Sequence, residues 1–280
     1  MEPVTARQTW RTLEPLHGMI YFAGEADAAY TAVGLDPGPM GYFASRSAAM
    51  GAVGSEVVIA TFFNFNPALV RSVIPAAWRR ASPEAVLAAR LEAADAALRR
   101  ALGDAVTGPD MAEAARLVRT AAEAACGRPQ GRALFAAHAQ LPWPEPDHLV
   151  LWHGQSLLRE FRGDGHVGLL LGEDLGPVEA LVLHAASGEV GASALRASRQ
   201  WSSAEWQAGV DALRARGWVA ADGDLALTDE GRSVRQRIED RTDLLALAPY
   251  EAIGEDGCRR LRQLARPWSK AVVEGGLLSS

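Results

Sequence analysis

Apolar residues in the second half of this chain recur at helical spacing, and polar punctuation marks where each run stops. Pro177 to Ala186 is an apolar run closed by Ser187-Gly188, which predicts a helix ending at that glycine. Ser193 to Ser198 has room for one short helix. Trp206, Val210 and Leu213 then share a helical face, introduced by Trp201-Ser-Ser-Ala-Glu205, which resembles a capping box, and closed by Arg216-Gly217. Trp218 to Leu227 reads as two short strands around the hairpin signal Asp222-Gly223. Thr228-Asp-Glu-Gly231 opens a further helix over Arg232 to Thr242. Three helices, a hairpin and a helix is the order of a winged helix. The expected fold class is therefore mainly α with small β-hairpin wings.

The first half is less regular. Leu87–Leu102, Met111–Ala125 and Gly131–His138 are helical by periodicity. Pro142-Trp-Pro-Glu-Pro146 is a stiff break, and it predicts a boundary between an N-terminal half, 1–140, and a C-terminal half, 147–280. The halves echo one another. Leu16-His17-Gly18 resembles Trp152-His153-Gly154, and Gly34-Leu35 with Gly38-Pro39 parallels Asp174-Leu175-Gly176-Pro177. Val70, Val73 and Trp78 fall 140 positions before Val210, Leu213 and Trp218. The echo predicts a tandem pair of winged helices like a fused dimer, with a degenerate first copy in which Phe62 to Phe65 and Pro67 replace the serine cap. Chance alignment of apolar helices in an alanine-rich chain accounts for it equally well.

Charge changes the picture. The formal net charge is −6, whereas dedicated DNA-binding domains are usually basic, because they displace counterions from phosphates. The wing tip Asp222-Gly223-Asp224 is acidic as well, so DNA affinity is expected to be weak. The DNA-contact candidates are Ser202, Ser203, Gln207 and Arg214 on the expected reading helix. No apolar run is long enough to span a bilayer, and Met1 to Arg11 has no apolar leader, so a soluble, cytoplasmic protein without a membrane partner is expected. The two cysteines, Cys126 and Cys258, form no CxxC pair, which fits a reducing compartment and argues against a thiolate zinc site. GxGxxG, Walker, GxSxG and HExxH motifs are all absent. No cofactor and no metal site is assigned, with imidazole-held zinc or haem iron a minor alternative.

Two clusters carry candidate chemistry. Glu14-x-x-His17 sets a carboxylate and an imidazole on one helix face, with Tyr21 one turn on; Pro15 suggests that Glu14 lies near a helix start, where the dipole favours it. His153 and Glu160, seven residues apart, are expected to face one cleft. Arg159-Glu160-Phe161-Arg162 runs into Gly163-Asp164-Gly165-His166, expected as a tight bend in which Asp164 anchors His166 or Arg162 clamps an anion. The plain alternative is a helix cap with ordinary ion pairs. His17, His153, Glu160 and His166 are thus the catalytic candidates, and Glu14, Tyr21, Arg46, Phe63, Phe65, Arg162 and Asp164 the ligand-binding ones. Arg46 needs either Glu14, Glu160 or an anionic ligand as partner. Phe62, Phe63 and Phe65, with Tyr21 and Phe22, form either an apolar pocket or plain core.

The stretch "ALRARGWVAADGDLALTDEGRSV" resembles the MarR pattern, in which a leucine-bearing helix meets a wing and then "LTxxG". Together "LEPLHGMIYF", "GYFASRSAAMG", "FFNFNP", "LLREFRGDGH" and "RTDLLALAPY" look like one actinobacterial family of MarR-like helix-turn-helix proteins to which no reaction is tied. The resemblance implies a winged helix with a small-molecule cleft beneath a helical dimer layer. Two functions stay open: a small-molecule-binding, ligand-responsive regulator with its cleft between the halves, or a cofactor-free acid–base hydrolase or isomerase reusing the scaffold.

Overall fold

The computed structural model describes residues 1–278, with fifteen α-helices among them. The first half contains α1 (Pro3–Gly18), α2 (Gly24–Ala32), α3 (Pro39–Ser47), α4 (Ser55–Phe62), α5 (Pro67–Arg80), α6 (Pro83–Leu102), α7 (Pro109–Ala125) and α8 (Ala133–His138). The second contains α9 (Asp147–Gly172), α10 (Pro177–Ala185), α11 (Ala192–Arg199), α12 (Ser203–Ala215), α13 (Asp229–Leu245), α14 (Leu247–Glu251) and α15 (Gly254–Glu274). Six of these helices begin on proline, whose missing N–H costs nothing where helix donors are unpaired anyway.

The largest core draws on both halves. α1 lies along α15, α9 along α7, and α1 and α9 meet each other. Every residue of α9 from His148 to Leu158 is buried, as befits a helix packed on all sides. Gly154 permits that packing: a Cβ there would sit 2.9 Å from Val118 Cγ1 on α7. Each half adds a smaller core. Phe43, Val58, Phe62, Val70 and Ile74 join α3, α4 and α5, while Leu181, Trp206, Val210, Leu213 and Val234 join α10, α12 and α13.

The two smaller units have matching dimensions. α3, α4 and α5 are 9, 8 and 14 residues long; α10, α11 and α12 are 9, 8 and 13. In both, the first and third helices pack together. The capping box at Ser202 and Glu205 forms as expected, with the Ser202 side chain accepting from the Glu205 N–H and Glu205 accepting from the Ser202 N–H. Gly217 takes a φ of +71°, the left-handed stop that ends α12.

Three expectations are corrected. The hairpin after Trp218 reduces to one antiparallel bridge, Val219 to Leu227, with the Ala220 N–H donating to Ala226 O. The ladder ends there because the Leu227 N–H turns to Ala186 O, just past the end of α10, and the Thr228 N–H to Trp218 O. Gly163-Asp164-Gly165-His166 is a continuous part of α9 rather than a bend. Glycine costs a helix about 1 kcal/mol each, but packing against α8 and α13 on either side overrides that preference. Finally, α1 starts at Pro3, so Pro15 lies inside it and Glu14 belongs to its last turns rather than its first.

Candidate functional site

A cleft of about 1310 Å³ opens between α9, α10 and α13 of the second half and α1, α3 and the α4–α5 turn of the first. Its floor is a relay of charges. Arg46 Nη2 donates to both Glu160 oxygens, at 3.0 and 3.1 Å, and its Nη1 donates to the Tyr42 hydroxyl at 2.9 Å. Arg159 bridges Glu160 at 3.1 Å and Glu14 at 2.8 Å. Burial alone would raise the Glu160 carboxyl; Arg46 and Arg159 outweigh it and hold the group at about 2. Of the two carboxylates expected as alternatives for Arg46, Glu14 and Glu160, it is Glu160 that pairs with it.

One wall is aromatic, with Tyr42, Phe62, Phe63 and Phe65. The Arg46 guanidinium lies 4.4 Å from the Phe62 ring centre. Tyr21 sits behind Arg46 and Arg159, 5.4 and 5.3 Å from their guanidiniums. Phe22 is 48% exposed and takes no part. On the opposite side Arg162 is not free to clamp an anion by itself: it pairs with Asp243 at 3.0 Å and Glu239 at 3.2 Å, and covers Trp10.

The rim is closed at one end by the two interhelical turns. The Asn66 N–H donates to Arg199 O at 3.1 Å, and its side-chain amide donates to Gln200 O at 3.0 Å. Trp201 Nε1 returns the contact, donating to Asn64 O at 3.0 Å. Each turn holds a non-glycine residue at positive φ, Phe63 at +41° and Gln200 at +56°. Asn66 also caps α5, as Ser202 caps α12.

The histidines are dispersed. His17 is fully buried beneath the cleft, stacked on Trp152, with Nδ1 2.8 Å from Ser156 Oγ and Nε2 2.8 Å from the Tyr21 hydroxyl. Ser156 gives its own proton to Trp152 O, so His17 Nδ1 is the donor and Nε2 accepts from Tyr21. Burial, reinforced by Arg159, holds this ring well below its ordinary range, hence neutral. Glu14 does not orient it, being bound to Arg159. His153 points away from the cleft, edge-on to Trp143, and burial lowers it to about 4. It therefore does not share a site with Glu160. His166 does line the cleft. Its Nδ1 lies 2.9 Å from Thr242 Oγ1, whose proton goes to Ile238 O, so Nδ1 donates and Nε2 keeps an unpaired lone pair without a protein partner. Asp164 does not anchor His166; it accepts the Phe135 N–H at the start of α8, and burial raises it to about 6. Among the described residues no group of three or more His, Cys, Asp or Glu side chains converges as a metal site.

A family model described as a helix-turn-helix family matches residues 6–279. The chain belongs to that helix-turn-helix family. No curated protein and no solved structure matches the chain. Among the described residues no helix is long and apolar enough to cross a membrane.

In this helix-turn-helix chain each candidate DNA-contact residue already makes an intramolecular hydrogen bond. Ser202 is consumed by its capping box, and Ser203 Oγ accepts from Arg196 at 2.9 Å. Gln207 donates to Asp211 at 2.9 Å, and Arg214 Nε donates to Ala220 O at 3.1 Å. The residues that sequence reasoning missed are Arg199, Asn66 and Trp201. Their partners lie more than a hundred residues away, so no local spacing signals them.

Proposed function

We propose that this helix-turn-helix protein binds a small molecule in the cleft between two winged-helix-like halves arranged as a fused, MarR-like pseudo-dimer, and that its DNA binding is weak. The observation that carries this reading is the mutual hydrogen bonding of the Asn64–Asn66 and Arg199–Trp201 turns. It roofs one end of the cleft and brings the N-termini of α5 and α12 side by side. Paired reading helices must instead stand about 34–36 Å apart to enter successive major grooves. Matching helix lengths, and the reciprocal packing of α1 on α15 and α9 on α7, support the pseudo-dimer. A cleft of this size, apolar on one wall with a few converging polar groups, is of the kind that holds small molecules.

Two measurements test the reading together. Native mass spectrometry of the gently purified chain is expected to show a bound small molecule that is released on denaturation. A gel-shift titration at low salt against the protein's own promoter is expected to give no sequence-specific band in the nanomolar range. Bare protein together with a nanomolar specific band reverses the reading.

Catalysis is the second reading, favoured by His166. Its unprotonated Nε2 belongs to the cleft lining, as does Asp164 on the α8 side of α9, whose carboxyl is raised by burial to about 6. A base and an acid of that kind suit a hydrolysis or isomerisation. Glu160, held ionised by two arginines, is suited to positioning and not to proton transfer.

A further inference from the structure

One buried cation in the helical layer has no counter-charge, and it lies outside the cleft described above. Arg90 on α6 is 3% exposed. Its Nη1 donates to Ser45 O at 2.9 Å, and its guanidinium lies 5.3 Å from the Trp152 ring centre. Its Nη2 is buried with no hydrogen-bond partner. Among the described residues Arg90 forms no ion pair: Glu160 is shared by Arg46 and Arg159, and Asp95 by Arg99 and His148. Burial raises the nearby Tyr30 hydroxyl, so that group stays neutral as well. The Trp152 face attracts a cation but carries no net charge.

Two buried imidazoles are neighbours of this guanidinium. His138 on α8 and His153 on α9 are 3% and 5% exposed, and the Nε2 of each is buried without a partner. Burial first, then Arg90, lowers His138 to about 4; burial, then His138 and Arg90, lowers His153 to about 4. The three groups thus lie within one another's electrostatic reach, and both rings are neutral. Packing gathers them: α9 lies on α6 and on α8, and the turn Ala48–Met50 after α3 packs on both α6 and α8. His138 Nδ1 lies 3.0 Å from Leu134 O, which can only accept, so Nδ1 carries the proton and Nε2 presents a bare lone pair. His153 Nε2 is free to carry its ring's proton. None of the three residues lines the cleft.

Waters would satisfy these hydrogen bonds but would leave the desolvated charge uncompensated. Chloride would compensate the charge, yet it has no proton to give to the His138 lone pair. The set calls for one negative charge, acceptors for Arg90 Nη2 and His153 Nε2, and one O–H for His138 Nε2. We propose that Arg90, His138 and His153 hold a hydrogencarbonate ion, which accepts from Arg90 and His153 and donates its O–H to His138. Hydrogencarbonate is a small, planar oxyanion that keeps a proton near neutral pH, and a planar guanidinium matches its oxygens.

Carbon-13 NMR of the full chain equilibrated with labelled hydrogencarbonate, at mildly alkaline pH, tests the proposal. The expected result is one protein-bound resonance per chain. It is expected to survive an equal concentration of nitrate, a planar monoanion of similar size without an O–H. Urea unfolding in sealed cells gives a second readout. Hydrogencarbonate is expected to raise the midpoint by at least about 0.3 M, and nitrate or chloride at matched ionic strength is not. Arg90→Met is expected to remove both the resonance and the shift, whereas Arg71→Gln, which breaks an exposed pair with Glu56, keeps them. The comparison of anions on the unaltered protein stands even if Arg90→Met fails to fold. Absence of a bound resonance overturns the proposal, and so does an equal response to nitrate or chloride.

Discussion

Arg46 on α3 and Glu160 on α9 face each other across the junction of the two halves, with one guanidinium nitrogen 3.0 and 3.1 Å from the two carboxylate oxygens. Both residues are buried, and 114 positions of chain separate them. Arg46 has Glu160 as its one carboxylate partner, and Glu160 is shared between Arg46 and Arg159. Glu160→Ala should therefore destabilise the fold by about 3–5 kcal/mol, because it strands a buried cation. The pair Arg46→Met with Glu160→Leu should recover most of that loss. Urea unfolding of the two single variants and the double variant measures the coupling, and additive losses would show that the residues do not act as a pair.

Acid should destabilise the protein already between pH 7 and pH 5, through its buried imidazoles. Burial first, and neighbouring charge second, lowers His138 and His153 to about 4 from an ordinary 6.5, and lowers His17 as well. The unfolded chain thus takes up protons that these rings refuse, so the stability they contribute is complete above 6.5 and is lost as pH falls towards 4. Between pH 7 and pH 5 the loss is about 2 kcal/mol for each of His138 and His153. Asp164 works in the opposite direction: raised to about 6, it gains about 1 kcal/mol over the same interval. The melting temperature should fall from pH 7 to pH 5, and His138→Asn should flatten the slope. A melting temperature that rises over this interval would contradict neutral buried imidazoles.

His153 and His166 should separate cleanly. His153→Ala opens a void beside Trp143 in a buried helix and should cost about 2–4 kcal/mol while leaving ligand affinity intact. His166→Ala should keep most of the stability and lower ligand affinity or turnover. Thermal melts paired with titrations distinguish them, and a purely stability-linked effect at both positions would remove His166 from the site.

Much of the second half is legible because its signals are local. Ser202 and Glu205 write a cap, Gly217 writes a stop, and Trp206, Val210 and Leu213 write a face; all three survive folding. Gly163 and Gly165 mislead for the converse reason. Their helix is imposed by neighbours on α8 and α13, which no local pattern encodes. The aromatic wall and Arg46 are readable as a cluster, yet the contact that roofs the cleft is not. Asn66 meets Gln200 across 134 positions through a backbone carbonyl, which leaves no trace in residue type.

Spin-label distances between the starts of α5 and α12 test the account most directly. Exposed Ala68 and Ser203 are replaced by cysteine in a chain carrying Cys126→Ser, while buried Cys258 is left in place. Docked turns require one narrow distribution below about 25 Å, unchanged by DNA, against about 34–36 Å for paired reading helices. A population centred at the longer distance, whether alone or on adding DNA, would contradict the account.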